Sequence, residues 1–171
     1  MKSNQHHGFT ILELLITLTI ASVVLVMAGP PLKQFIQSNR LTSYRNALVN
    51  DIGLARSKSL ERNLPSVVCV SSDGANCTNG SFQEGWITVL DTDSDGNVSN
   101  ADELLKVQNP LDGDISFYSD VGSKVEYDGR GFNAGVTGNI SVCDDRGVDS
   151  ALVISISTTG RVSRGGNPSC N

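Results

Sequence analysis

An apolar run that starts directly after a glycine and continues for the width of a bilayer constrains this chain more than any other feature. From Phe9 to Gly29 there are 21 residues; Glu13 is their one charge, and Lys33 is the next. At ~1.5 Å per residue they make a helix of about 31 Å, enough to cross a hydrocarbon core. A secretory signal peptide carries its small cleavage residue after the apolar core. Here Gly8 stands before it. A cut after Gly8 would remove residues 1–8 and leave the apolar segment on the mature protein as an anchor.

Glu13 is the exception within that segment. A carboxylate near the centre of a membrane helix costs about 2.5–3.5 kcal/mol, less near an end, and such groups usually have a partner. At one turn from the helix start the dipole also favours it. The sequence "GFTILELL" resembles the class III leader-peptide junction of type IV pilins and type II secretion pseudopilins. The resemblance implies that a prepilin peptidase cuts after Gly8 and methylates the new terminal amine of Phe9. It implies also that Glu13 faces the terminal amine of a neighbouring subunit.

Composition narrows the chemistry. Both histidines, His6 and His7, lie in the segment to be removed, so the mature chain lacks the commonest general base and metal ligand. Loss of Lys2 takes the formal charge from −5 to −6, which argues against broad nucleic-acid binding. Cys69, Cys77, Cys143 and Cys170 fit no zinc spacing, and an even count beyond an anchor favours disulfides in an oxidising compartment. Three connectivities are open; proximity along the chain favours Cys69–Cys77 and Cys143–Cys170. With no histidine and no free thiol there is no familiar nucleophile–base pair, and an enzyme is not expected.

After Pro30-Pro31, apolar residues recur at three- and four-residue steps: Phe35, Ile36, Leu41, Tyr44, Leu48, Ile52 and Ala55, up to about Arg62. Gln37, Asn39, Arg45, Asp51 and Arg56 fill the polar positions between them. The pattern predicts one long helix, kinked or briefly broken at the prolines and ended by Pro65. From Ser66 onward, short apolar or alternating runs are separated by Gly, Asn and Asp. Strands are expected at 66–71, 85–91, 104–109, 114–119, 124–128, 139–144 and 151–157. The class is α+β: a long helix, first half transmembrane and second half amphipathic, packed on antiparallel sheets. The organisation is leader 1–8, anchor 9–29, amphipathic half of the helix 30–63 and β domain 64–171. Trp86, the one tryptophan, is read as a core anchor.

Two polar constellations stand out. In "DTDSDGNVSNADE", Asp91, Asp93 and Asp95 are followed by Gly96, Asn97 and, at the twelfth position, Asp102. That is the spacing of a calcium loop, though no flanking helices are predicted and Asp102 replaces the usual bidentate glutamate. A solvated turn between strands explains the same residues, so calcium is the candidate ion and no other cofactor is expected. In the tail, Arg161 and Arg164 lie among Gly160, Gly165 and Gly166 with no acidic residue from Ser150 onward. Mobile arginines of this kind suit phosphate contacts. Two give little affinity, so Lys124, Arg130 and Arg146 would have to fold alongside.

The segments "GWITVLDTDSDG", "YDGRGFNAG", "NISVCDDRG" and "ALVISISTTGRVSRG" resemble the carboxyl-terminal domain of FimT/FimU minor pilins and the related H-type pseudopilin. The resemblance implies a filament subunit held in the inner membrane with a periplasmic domain. Such a subunit is then assembled into an extracellular pilus, near its tip. Its expected partners are other major and minor pilins, the prepilin peptidase and the inner-membrane assembly platform. The family's DNA-binding members carry Gly-Arg-x-Arg in the tail, which implies double-stranded DNA as a partner in transformation. Here Gly160-Arg161-Val162-Ser163-Arg164 holds one extra residue, which on a strand would send the two arginines to opposite faces. The alternative is an H-type minor pseudopilin of a type II secretion system.

Overall fold

The computed structural model describes residues 9–99 and 101–170. Gly8, one half of the expected cleavage site, lies outside them. Helix α1 runs Ile11–Arg62, 52 residues that include Pro30 and Pro31. Thr10 caps its start, its Oγ1 accepting the Glu13 backbone N–H at 3.2 Å. Asn63 takes the left-handed conformation (φ 55) just past its end, and Pro65 follows.

Up to Ser38 the chain forms a unit of its own. Its described apolar side chains are exposed from Phe9 to Val26, and α1 is long and apolar enough to cross a membrane. The polar side chains of this stretch bond within the helix. Thr17, Thr19 and Ser22 hydroxyls donate to the carbonyls of Leu14, Ile16 and Thr19 at 2.8–2.9 Å. Such back-bonding satisfies hydroxyls that hydrocarbon could not.

The second unit begins at Asn39. Leu41, Leu48, Ile52 and Ala55 of α1 form one buried stripe, the residues the three- and four-residue periodicity selected. Each of the three larger ones is at most 1% exposed and contributes roughly 1.5–3 kcal/mol of burial. Two four-stranded antiparallel sheets receive the stripe. The first, in the order β3-β2-β1-β5, contains β1 (Ser66–Val70), β2 (Trp86–Leu90), β3 (Glu103–Gln108) and β5 (Lys124–Tyr127). The second, β4-β6-β7-β8, contains β4 (Ser116–Ser119), β6 (Gly138–Cys143), β7 (Leu152–Ile156) and β8 (Val162–Arg164). Phe82, Trp86 and Phe117 meet in the core with ring centroids 6.2–6.3 Å apart.

Two departures from the sequence expectations are informative. β8, three residues between glycines, was not among the expected strands. Asp51, assigned to the polar face of the helix, is 1% exposed. Its Oδ2 accepts the Trp86 indole N–H at 2.8 Å and its Oδ1 pairs with Lys106 Nζ at 2.5 Å. A buried carboxylate survives because both oxygens are bonded.

The two central strands of the first sheet, β1 and β2, are covered on both faces. Val68 and Val70 point to the helix, whereas Val67, Cys69, Ile87 and Val89 form a second small cluster beneath Val98. Val98 belongs to the aspartate loop between β2 and β3, so that loop is the roof of a second core.

Candidate functional site

Three features hold chemistry, and each can be built from its residues. At the N-terminus, Phe9 is 83% exposed and the Glu13 carboxylate has no hydrogen-bond or ion-pair partner among the described residues. A charge in the first turn of an apolar helix with no partner among the described residues is available to pair with another chain.

The aspartate loop curls through two left-handed residues, Ser94 (φ 59) and Gly96 (φ 78). That curl lets the Gly96 N–H donate to Asp91 Oδ2 at 3.0 Å. The Asp95 N–H donates to Asp93 Oδ1 at 3.3 Å, and the Asn97 N–H to Asp95 Oδ1 at 2.7 Å. One carboxylate oxygen each from Asp91, Asp93 and Asp95 lies within 4.8 Å of the others. The Asp95 amide draws the Asp93 carboxyl down, but desolvation and the carboxylates of Asp95, Asp102 and Asp91 together outweigh it and hold Asp93 above its ordinary value. Asp102 has a different task from the one its position suggested. Its two oxygens accept the backbone N–H groups of Thr92 (2.9 Å) and Ser99 (2.8 Å), closing the loop like a staple. The Asn97 side-chain amide donates to the Asp95 carbonyl at 3.3 Å through Nδ2, so its Oδ1 and its backbone carbonyl are both oxygens it could offer a cation.

The tail is tied down rather than mobile. The Gly165 N–H donates to the Val153 carbonyl at 3.0 Å, Ser169 N–H to Ser141 Oγ at 3.0 Å, and Cys170 is bonded to Cys143. The other disulfide joins Cys69 and Cys77, and no free cysteine is present among the described residues. Gly160 is a packing glycine: at φ 74, any Cβ would strike the Gly131 carbonyl and sit 2.8 Å from the Tyr127 ring. Around it, Arg56 Nε donates to the Gly131 carbonyl at 2.9 Å, Arg56 Nη2 to the Thr159 carbonyl at 3.0 Å, and the Tyr127 hydroxyl to the Gly160 carbonyl at 3.1 Å. The glycines of "DGRG" and "TTGR" thus lock two loops to the helix.

The basic residues divide into two groups. Lys124 pairs with Glu126 at 2.6 Å, Arg130 with Asp128 at 2.8 Å and Arg146 with Asp144 at 2.7 Å. These three are therefore largely neutralised, and each partner stands two residues away in sequence, a signal present in "KVE", "DGR" and "DDR". Asp144 illustrates the effect: burial raises its carboxyl, but hydrogen bonds and charge from Arg146 overcome this and hold it below its ordinary value. Arg161 and Arg164 are exposed and carry no ion pair among the described residues. Arg164 shares its face of β8 with Val162, which packs on the core. Its charge reaches Arg45 of α1, a residue the sequence reading placed only on a polar face. Burial, then the charge of Arg164, lowers the Arg45 guanidinium from its ordinary value. Arg161 precedes the strand, in the turn closed by its N–H to Ser157 Oγ at 3.2 Å.

Comparison with known proteins places these features. A model described as the prokaryotic N-terminal methylation motif matches residues 3–29, and one described as type II transport protein GspH matches residues 45–160. Among curated proteins there is no significant match. Among solved structures, the chain is similar to the type IV minor pilin FimU of Pseudomonas aeruginosa in two crystal forms. The first match has a TM-score of 0.60 at 18% identity and covers 78% of this chain and 93% of that one. The second has a TM-score of 0.57 at 16% identity and covers 74% and 93%. A methylation motif, an apolar helix and a matched β domain thus follow one another along the chain, and the chain belongs to the GspH family with the fold of a FimU-type minor pilin.

Proposed function

We propose that this chain is a minor type IV pilin. It is processed between Gly8 and Phe9, held in the inner membrane by its apolar helix, and incorporated into a pilus that it helps to initiate near the tip. The observation that carries this reading is the Glu13 carboxylate, unpartnered among the described residues at the start of an apolar stretch whose side chains are exposed from Phe9 to Val26. Within a filament, pairing with a neighbour's terminal amine would satisfy it in a low-dielectric core, where an unpaired charge is costly. The pairing would also fix the axial register of one helix against the next. Apolar surface leaving lipid for other apolar surface gains little, so lateral helix packing supplies the rest. The partners are then other major and minor pilins, the prepilin peptidase and the assembly platform. Glu13→Ala should leave processing intact and reduce incorporation into sheared pili, whereas Glu13→Asp should retain part of it. Full incorporation of Glu13→Ala would remove the role given to the carboxylate.

A second reading is favoured by one further observation: of the five basic residues singled out in the sequence, Arg161 and Arg164 are the two with no ion pair among the described residues, and the charge of Arg164 is felt at Arg45. Such a patch would contact double-stranded DNA through phosphates, without sequence preference, and many copies along a filament would multiply a weak affinity. Arg161→Gln with Arg164→Gln should abolish a low-salt gel shift by the detergent-solubilised chain without lowering its melting temperature. An unchanged shift would remove DNA from the function. The H-type pseudopilin alternative shares every element of the assembly argument. It is separated by whether the chain is recovered in sheared pili or is required for secretion.

A further inference from the structure

We infer that the segment from Asp91 to Asn97 is a calcium site that fixes the roof of the second core. The acidic cluster alone would not carry this, because exposed carboxylates converge in many turns. The added observation is Asp91. It is 6% exposed, its Oδ2 is occupied by the Gly96 N–H, and its Oδ1 is buried without a hydrogen-bond partner among the described residues. A buried carboxylate oxygen lacking a donor is costly unless a cation supplies the missing charge. One carboxylate oxygen each of Asp93 and Asp95 lies within 4.8 Å of one of Asp91, and these charges worsen its situation without a cation and complete it with one.

The backbone supports the same assignment. Calcium loops use oxygens at the first, third and fifth positions and a backbone carbonyl at the seventh, with a glycine at the sixth for the sharp turn. Asp91, Asp93, Asp95, Gly96 and Asn97 occupy those positions, and Gly96 is left-handed. The twelfth-position Asp102 is engaged by two backbone N–H groups, so no bidentate carboxylate closes the sphere and water must complete it. With three carboxylates and no bidentate one, affinity belongs to the weak range of extracellular modules, about 10⁻⁴–10⁻³ M. Magnesium, which requires near-ideal octahedral geometry and sheds water reluctantly, fits such a curled loop poorly.

The consequence reaches the sheet through Val98, which lies on Val67, Cys69, Ile87 and Val89. An ion holding the segment from Asp91 to Asn97 in place would hold Val98 down. Calcium would thus stabilise the domain by binding the folded loop alone.

The test uses the mature full-length chain in detergent, titrated calorimetrically with calcium chloride and, separately, magnesium chloride. Melting is followed by Trp86 fluorescence, and loop exposure by limited proteolysis. Calcium at about 10 mM should raise the melting temperature by roughly 3–8 °C and slow cleavage within 91–102, and magnesium should do neither. Asp93→Asn with Asp95→Asn, both at exposed positions, should weaken calcium binding at least about tenfold, because affinity follows ligand charge. In chelator the double variant should melt no lower than the parent, since it relieves carboxylate repulsion. Three results would each overturn the assignment: no heat and no thermal shift for the parent at that calcium concentration, equal effects of magnesium, or unaltered calcium binding by the double variant. If the double variant does not fold, the parent's calcium and magnesium titrations and its proteolysis decide the matter alone.

Discussion

Lys106→Met isolates the energetic role of the one carboxylate that the helix carries into the core. The substitution keeps the aliphatic stem and removes the ammonium that pairs with Asp51 Oδ1 at 2.5 Å, leaving the Trp86 N–H as the remaining bond to that carboxylate. Breaking a fully buried pair costs about 3–5 kcal/mol, because a charge stays behind uncompensated. Breaking an exposed pair costs under about 1 kcal/mol. Here the Asp51 side chain is 2% exposed and that of Lys106 44%, so one partner is desolvated and the other screened. The expected loss is therefore intermediate, about 2 kcal/mol. For a domain of this size that is a fall in melting temperature of roughly 6–10 °C. The partner substitution gives the contrast. Asp51→Leu removes the charge itself and leaves an unsatisfied indole N–H, a cost of about 1–3 kcal/mol. Once Asp51 is Leu, no buried charge is left to strand, so Lys106→Met should then be nearly silent. The assay is thermal and urea unfolding of the detergent-solubilised chain, under oxidising conditions, with Trp86 as the fluorophore. Additive effects in the double-mutant cycle, or a Lys106→Met loss below about 0.5 kcal/mol, would show that the ion pair does not stabilise the Asp51 carboxylate in the core.

Two further outcomes follow from the loops locked to the helix. Burial pushes the Tyr127 phenol up to about 12, with the nearby Arg56 pulling slightly the other way. Because the folded value is raised, the stability linked to this group is complete below about pH 10 and is lost as pH rises through 12. Absorbance titration should show one tyrosine ionising late and together with unfolding, and all three tyrosines titrating together would contradict it. Gly160→Ala should cost about 3 kcal/mol or more, the left-handed backbone accounting for roughly 1–2 of it and the collision with Gly131 for the remainder. A melting temperature equal to the parent's would mean the two loops are not in the contact described.

The fold was legible where a single periodicity governs. Leu41, Leu48, Ile52 and Ala55 announce their stripe by spacing, and seven of the eight strands announce themselves as short apolar runs between turn residues. "SVVCV" and "WITVL" read as continuous rather than alternating because both faces of β1 and β2 are buried, one by α1 and one by the aspartate loop. Asp51 was not legible. A carboxylate in an amphipathic helix reads as solvated, and the lysine that justifies its burial lies 55 residues further on. β8 was missed because Val162-Ser163-Arg164 offers only one apolar residue, and it forms by pairing with Ile154 to Ile156 rather than by local preference. In the candidate sites, local pairing was readable and remote pairing was not. The acids two residues from Lys124, Arg130 and Arg146 could have been seen in advance, whereas the approach of Arg45 to Arg164 depends on how a strand lies against a helix.

The central claim is that the apolar segment is kept and its new terminus becomes an assembly site. Intact-mass measurement of the membrane-extracted chain tests this most directly, in cells with and without the prepilin peptidase. With the peptidase, the mass should correspond to residues 9–171 plus one methyl group and the loss of two hydrogens for each disulfide. Without it, the mass should be that of the full chain. A mature chain beginning after Gly29, or a mass indifferent to the peptidase, would contradict the account.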